Sequence, residues 1–235
     1  MMVAIGNFFF RYRNGIFPLV CVFLFLGGPT LLASDQLAVA LGFATGLAGM
    51  GLRGMTVGLK YIKRGGLHRQ VYATTLVQEG MFAHCRNPLY VGNILNFTGL
   101  GLIANSLWFM CVGFPFFVFA FLAIVAAEEN FLRNKFGAEF DAYRQRVSRF
   151  GLSLSGFSRT WQSMEFNWQR VVVKEHGSIF IWIATACVLM CKRYWRAGNP
   201  FSNPAVTPWL WLLAVSTVAY ALTRYLKKSR ILTAD

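Results

Sequence analysis

The chain alternates long uncharged or nearly uncharged apolar runs with short basic stretches. Residues 16–33, 36–59, 89–104, 107–127 and 208–223 are the apolar runs. A bilayer core of roughly 30 Å needs about 20 apolar residues as helix. Backbone polar groups in lipid must be satisfied internally, so helices are the simple solution for each run. A sixth span is expected near 177–195, with a short clean core over 178–191. The turn between the third and fourth runs is only about Asn105 and Ser106, so those two spans are predicted to pack side by side and return their polar ends to one membrane face. After Glu129, Phe131, Leu132, Phe136, Phe140, Tyr143, Val147 and Phe150 recur at steps of three and four. That period predicts an interfacial helix with one apolar stripe, broken at Gly137. Trp161, Met164, Trp168 and Val172 suggest a second, weaker interfacial segment.

Three parts of one membrane domain follow: an N-terminal hairpin (1–59), a central region (60–150) and a C-terminal extension with one or two further spans (151–235). The fold class expected is an all-α integral membrane protein with about 5–6 transmembrane helices.

Composition agrees: 56% of residues are hydrophobic and 14% charged, against about half and about a quarter in soluble domains. The net charge of +14 does not imply nucleic acid as a partner, because the basic residues sit between spans in a positive-inside pattern. Six spans with both termini cytoplasmic put most of the 23 Lys and Arg on the inner side. Lys192, Arg193 and Arg196 are the exceptions, at the predicted outer end. The inner excess also favours anionic lipid headgroups as partners. Span one has no clear small-residue cleavage site, so it is read as a span rather than a removed signal. The five cysteines form no CxxC pair, and no metal site is expected.

Two signals carry candidate chemistry. Glu128 and Glu129 close the fourth apolar run, and charge at membrane depth is usually functional or paired. The plain alternative is an end-of-span marker, with Glu129 pairing Arg133 at i,i+4. The second signal is Arg86-Asn87-Pro88-Leu89-Tyr90-Val91-Gly92. Pro88 suits a first helical turn and Asn87 a cap; neither explains Arg86, Tyr90 or Gly92. A tight hairpin brings the two signals to one depth. His84 could accept a proton near neutral pH. Arg146 and Arg149 either bind an anionic group or form a solvated face.

These elements together, Gly80-Met81-Phe82, Arg86 to Gly92, a tight hairpin, Glu128-Glu129, Phe136-Gly137, Tyr143 and Arg146 to Arg149, resemble the isoprenylcysteine carboxyl methyltransferase and phospholipid methyltransferase superfamily over roughly 78–150. The resemblance implies methyl transfer from S-adenosylmethionine to a lipophilic substrate entering from the bilayer. It implies cofactor-pocket roles for Arg86, Asn87, Tyr90, Gly92, Glu128 and Glu129, and an earlier Gly-x-Gly that Gly49-Met50-Gly51 could match. Asn87 stands where the carboxyl branch has His, and Ile124 stands where that branch has an arginine implicated in binding substrate carboxylate. Both departures favour a phospholipid amine as acceptor, with a carboxyl O-methyltransferase as the alternative. The segment 132–149 is closer to the carboxyl branch. Glu129, ahead of His84, is the expected catalytic proton acceptor. A nicotinamide-dependent sterol reductase and a non-enzymatic membrane protein are the remaining readings.

Overall fold

The computed structural model describes residues 1–59, 71–195 and 204–233. Its helices are α1 (Met2–Cys21), α2 (Asp35–Leu59), α3 (Pro88–Ala104), α4 (Phe114–Phe136), α5 (Ala138–Arg146), α6 (Phe157–Gln162), α7 (Trp168–Trp195) and α8 (Thr207–Lys228). Four of them are long and apolar enough to cross a membrane among the described residues: α2, α4 with its preceding π-helical turn Phe109–Gly113, α7 and α8. α3 is shorter and also apolar. The protein is an all-α membrane protein, as expected.

The first predicted span is corrected. The helix occupies Met2–Cys21 rather than 16–33, and a 3-10 turn at Val22–Leu24 ends it. Gly27, Gly28 and Pro29 follow. Glycine flexibility and the missing proline N–H both oppose a continuing helix. Arg11 and Arg13 therefore lie inside α1 instead of before a span. The expected hairpin of 1–59 is not the packing unit either: α1 lies along α4, and α2 lies along α3. At the C-terminus, α7 starts at Trp168, so Trp168 and Val172 belong to a long helix rather than to an interfacial segment. The break at Gly137 is present, with φ +51° separating α4 from α5. The basic residues Lys60, Lys63, Arg64, Arg69 and Arg196 lie outside the described residues.

Two kinds of helix contact set the shape. α2 and α3 approach through glycine: a Cβ on Gly42 would lie 2.7 Å from the Gly99 carbonyl oxygen, and one on Gly49 would lie 2.7 Å from that of Gly92. Small residues let backbones meet where no water drives association. α3 and α4 share a tight turn but are held apart by rings. Phe97 stacks on Phe117 with centroids 3.9 Å apart, and Tyr90 and Phe121 lie 5.5 Å apart.

At the end opposite Glu129, Asn105 closes the bundle in the left-handed region (φ +48°). Its Nδ2 donates to Leu32 O (2.9 Å) and to Asp35 Oδ1 (2.7 Å), and its Oδ1 accepts from the N–H groups of Leu31 and Leu32. Arg193 joins there, 3.1 Å from Asp35 Oδ2, and it donates to Ile103 O. Its place beyond the positive-inside pattern thus has a local cause: a carboxylate and free helix-end carbonyls need a cation.

The glycine seam gives a direct contrast. Gly99→Ala should lower the melting temperature in detergent by several degrees, because its Cβ meets backbone rather than a movable side chain. Gly51 is exposed with open space around it, and Gly51→Ala should leave the melting temperature unchanged or slightly raised. Equal effects at the two positions would contradict a close-packed seam.

Candidate active site

The site forms where the chain segments flanking α3 and α5 clamp together. Arg86 N donates to Ser148 O, Ser153 N donates to His84 O, and Tyr143 Oη donates to Phe82 O at 2.7 Å. Pro88 opens α3 as expected, but Asn87 does not cap it with its side chain. Its Nδ2 donates instead to Arg149 O at 3.1 Å, while its backbone carbonyl receives the N–H groups of Tyr90 and Val91. The side chain is spent on bringing in Arg149 rather than on satisfying the helix end.

Arg149 then reaches Glu129, its Nε donating to Oε2 at 3.0 Å, and that hydrogen bond pushes the guanidinium pKa up. Arg86 Nη2 stands 3.3 Å from the other carboxylate oxygen. Glu129 therefore lies between two guanidinium groups from distant parts of the chain. It does not pair with Arg133, which meets Asp141 at 3.3 Å. Glu128 accepts a 2.9 Å hydrogen bond from Tyr90 Oη, tying α4 to α3. Arg13, reaching in from α1, is close enough to act electrostatically on both. Burial pushes the Tyr143 hydroxyl and the Cys85 thiol up from their usual pKa values.

Arg86, Asn87, Tyr90, Glu128 and Glu129 all line one cavity of about 1200 Å³. It runs from the segment 71–77, beneath which Lys135 Nζ donates to Ala73 O, down to Phe97, Leu100 and Trp182. Ile181 of α7 lines it and is 65% exposed, so the cavity has a flank on the lipid-facing surface.

Four expected site residues lie elsewhere. His84 is buried with both ring nitrogens engaged, Nδ1 with Ser153 O and Nε2 with Thr160 Oγ1. Gly49 and Gly92 belong to the α2–α3 seam, where a Cβ on Gly92 would also lie 2.5 Å from Arg53 Cγ. Gly51 is exposed on α2. None of the four lines the cavity.

Sequence reasoning missed Arg53, Asn93 and Arg13, which do line it. A lone arginine inside an otherwise uncharged run was the available signal for Arg53. Asn93 stands three residues after Tyr90, on the same helical face. Arg13 had no usable signal while α1 was placed too late in the chain.

His84→Ala should therefore act on stability alone. Loss of two buried hydrogen bonds predicts a cost of about 1–3 kcal/mol, read as earlier thermal unfolding. A ligand of the cavity should bind the variant as it binds the wild type.

The description Phospholipid methyltransferase belongs to the family profile that matches residues 38–139, from within α2 to the start of α5. The chain is 30% identical over 174 residues to the cobalt-zinc-cadmium resistance protein CzcN of Cupriavidus metallidurans, an alignment covering 71% of this chain and 77% of that protein. It is 34% identical over 85 residues to the nickel-cobalt-cadmium resistance protein NccN of Alcaligenes xylosoxydans xylosoxydans, covering 36% of this chain and 39% of that one. No solved structure matches the chain.

Proposed function

Because the chain belongs to the phospholipid methyltransferase family of membrane methyltransferases, we propose that it moves a methyl group from S-adenosylmethionine to a lipophilic acceptor entering from the bilayer, with a phospholipid amine as the lead acceptor. The observation that carries this reading is one cavity joining a polar cluster at Glu128 and Glu129 to a lipid-facing flank at Ile181. The Glu129 end faces the cytosol in this reading, with both termini on that side and the inner basic residues near anionic headgroups.

The residues fit the cofactor. Among the described residues, Arg86 Nε is buried and lacks a hydrogen-bond partner, a donor suited to a carboxylate, and Glu129 Oε1, which Arg86 Nη2 approaches to 3.3 Å, accepts no hydrogen bond and is suited to an ammonium. Bound S-adenosylmethionine supplies a methyl group activated by a sulfonium. Arg86, Asn87 and Glu129 would hold that ligand, and the Tyr90 ring and the carboxylates favour its cationic centre. An amine acceptor must be neutral to react, so its proton needs a destination. Glu128 is the better-placed group: its hydrogen-bond partner is the Tyr90 hydroxyl, with Arg13 acting on it only electrostatically, whereas each Glu129 oxygen lies within 3.3 Å of a guanidinium nitrogen. Tyr90 orients Glu128, and the aromatic wall of Phe17, Phe97 and Phe121 keeps water from the reacting atoms. Ile124, fully buried in the α4 core, leaves the carboxyl branch without its arginine and weakens that alternative.

Membranes containing the protein and methyl-labelled S-adenosylmethionine test the reading. Label should enter a lipid whose mobility identifies the acceptor. Glu128→Gln should lower transfer by about 10²-fold or more with S-adenosylhomocysteine still bound. Glu129→Ala should abolish both transfer and binding. Wild-type turnover in Glu128→Gln would remove it as proton acceptor, and a wild type that neither transfers label nor binds S-adenosylhomocysteine would remove the methyltransferase reading.

The names of the relatives concern resistance to cobalt, zinc, cadmium and nickel. Methylation of a membrane lipid serves the same end here, in our reading. Expression in a metal-sensitive bacterial host should raise tolerance to these cations, and Glu129→Ala should not; equal growth with both proteins would separate this chain from that role.

A further inference from the structure

A second polar cluster lies deeper in the same cavity. Arg53 of α2 pairs with Glu175 of α7 through Nε (2.7 Å) and Nη2 (2.9 Å), and Glu175 is only 5% exposed. Arg53 Nη1 donates to Asn93 Oδ1 at 2.6 Å. The remaining guanidinium contacts are long: Nη1 to Leu89 O at 3.5 Å and Nη2 to Ser178 Oγ at 3.4 Å. Arg53, Asn93 and Ser178 all line the cavity. The Asn93 Nδ2 donates to no described residue. A half-buried arginine, a free amide donor and a hydroxyl thus converge on one wall, and an anion would displace only the two long contacts.

Resting on the methyltransferase reading above, we propose that Arg53, Asn93 and Ser178 form the subsite for the phosphodiester of the acceptor lipid, with Glu175 holding the Arg53 fork in place. The order of groups along the wall supports this. Asn93 lies three residues beyond Tyr90 on α3, about 4.5 Å farther from the Glu129 end, a step the short ethanolamine arm of a headgroup can span. Beyond it come Phe97, Leu100 and Trp182, which are apolar or aromatic. Amine, phosphate and acyl chain follow one another in a phospholipid, and proton acceptor, arginine and apolar wall follow one another here. A carboxylate acceptor would instead put its anion at the methyl-receiving atom itself, level with Glu128.

Binding can be read without turnover. Wild-type protein in detergent is titrated with a short-chain phosphatidylethanolamine, the matching diacylglycerol, an alkylamine and inorganic phosphate, following thermal stabilisation. The phospholipid should act at the lowest concentration. Arg53→Met with Glu175→Met, which removes both charges together, should weaken it about tenfold. Asn93→Leu, with the ion pair intact, should weaken it by a smaller factor and keeps the test open should the double variant fail to fold. Diacylglycerol binding as tightly, or phospholipid affinity unchanged in the variants that fold, would overturn the subsite. Inorganic phosphate binding as tightly as the lipid would overturn the lipid as its source. S-adenosylhomocysteine titrated in parallel should bind both variants as it binds the wild type. Its failure to bind the wild type would count against methyl transfer and leave the lipid result to stand or fall separately.

Discussion

The glycine contact between α2 and α3 brings two backbones nearer than any side chain would permit, and the rest of the site is arranged around that fixed pair. Lipid offers no hydrophobic drive between helices, so close dispersion contact has to hold them. Once α3 is fixed on α2, Asn93 faces the cavity beside Arg53, and Tyr90 and Phe97 reach toward α4. Those side chains are large, and α4 adds Phe117 and Phe121, so α4 stands off and finds its own close partner in α1 through Gly6. The difference between a glycine-spaced contact and a ring-spaced one is the cavity. Gly92 links the two effects, since its missing Cβ makes room for the stem of Arg53 as that side chain passes to the cavity wall.

The apolar runs made five of the membrane-embedded helices legible, and the short turn at Asn105 was legible because so few residues can reverse a chain. The start of α1 was not. Hydropathy weights charge heavily, and Arg11 and Arg13 pushed the expected span toward the C-terminal side, onto residues whose Gly-Gly-Pro stretch cannot stay helical. Arg13 is accommodated because it turns inward, over Phe10 and toward Glu128, while Arg11 stays exposed. Partner choice was legible only in part. Nothing local distinguishes Glu129 pairing with Arg133 from Glu129 pairing with Arg86 and Arg149. That choice is made by the clamp between 84–87 and 148–153, whose backbone hydrogen bonds span more than sixty residues of sequence.

The family match ends at residue 139, yet the cavity does not. Phe140 and Tyr143 line it from beyond that point, α1 lines it from before the match, and α7 supplies Ser178, Ile181 and Trp182. Trp182 fills the hollow at Gly46 and donates to the Asn96 carbonyl at 3.0 Å, fixing α7 against both members of the glycine pair. A helix added for stability alone could have done this with apolar side chains. Burying Glu175 costs desolvation that its Coulomb attraction to Arg53 need not repay, and well-packed apolar residues commonly do as well or better. A charge pair retained at that depth, with its arginine on the wall of a cavity, is therefore poorly explained by folding. The anion subsite proposed for Arg53 accounts for it, since the arginine must meet a ligand while staying aligned, and under that proposal the C-terminal part of the chain contributes to the site.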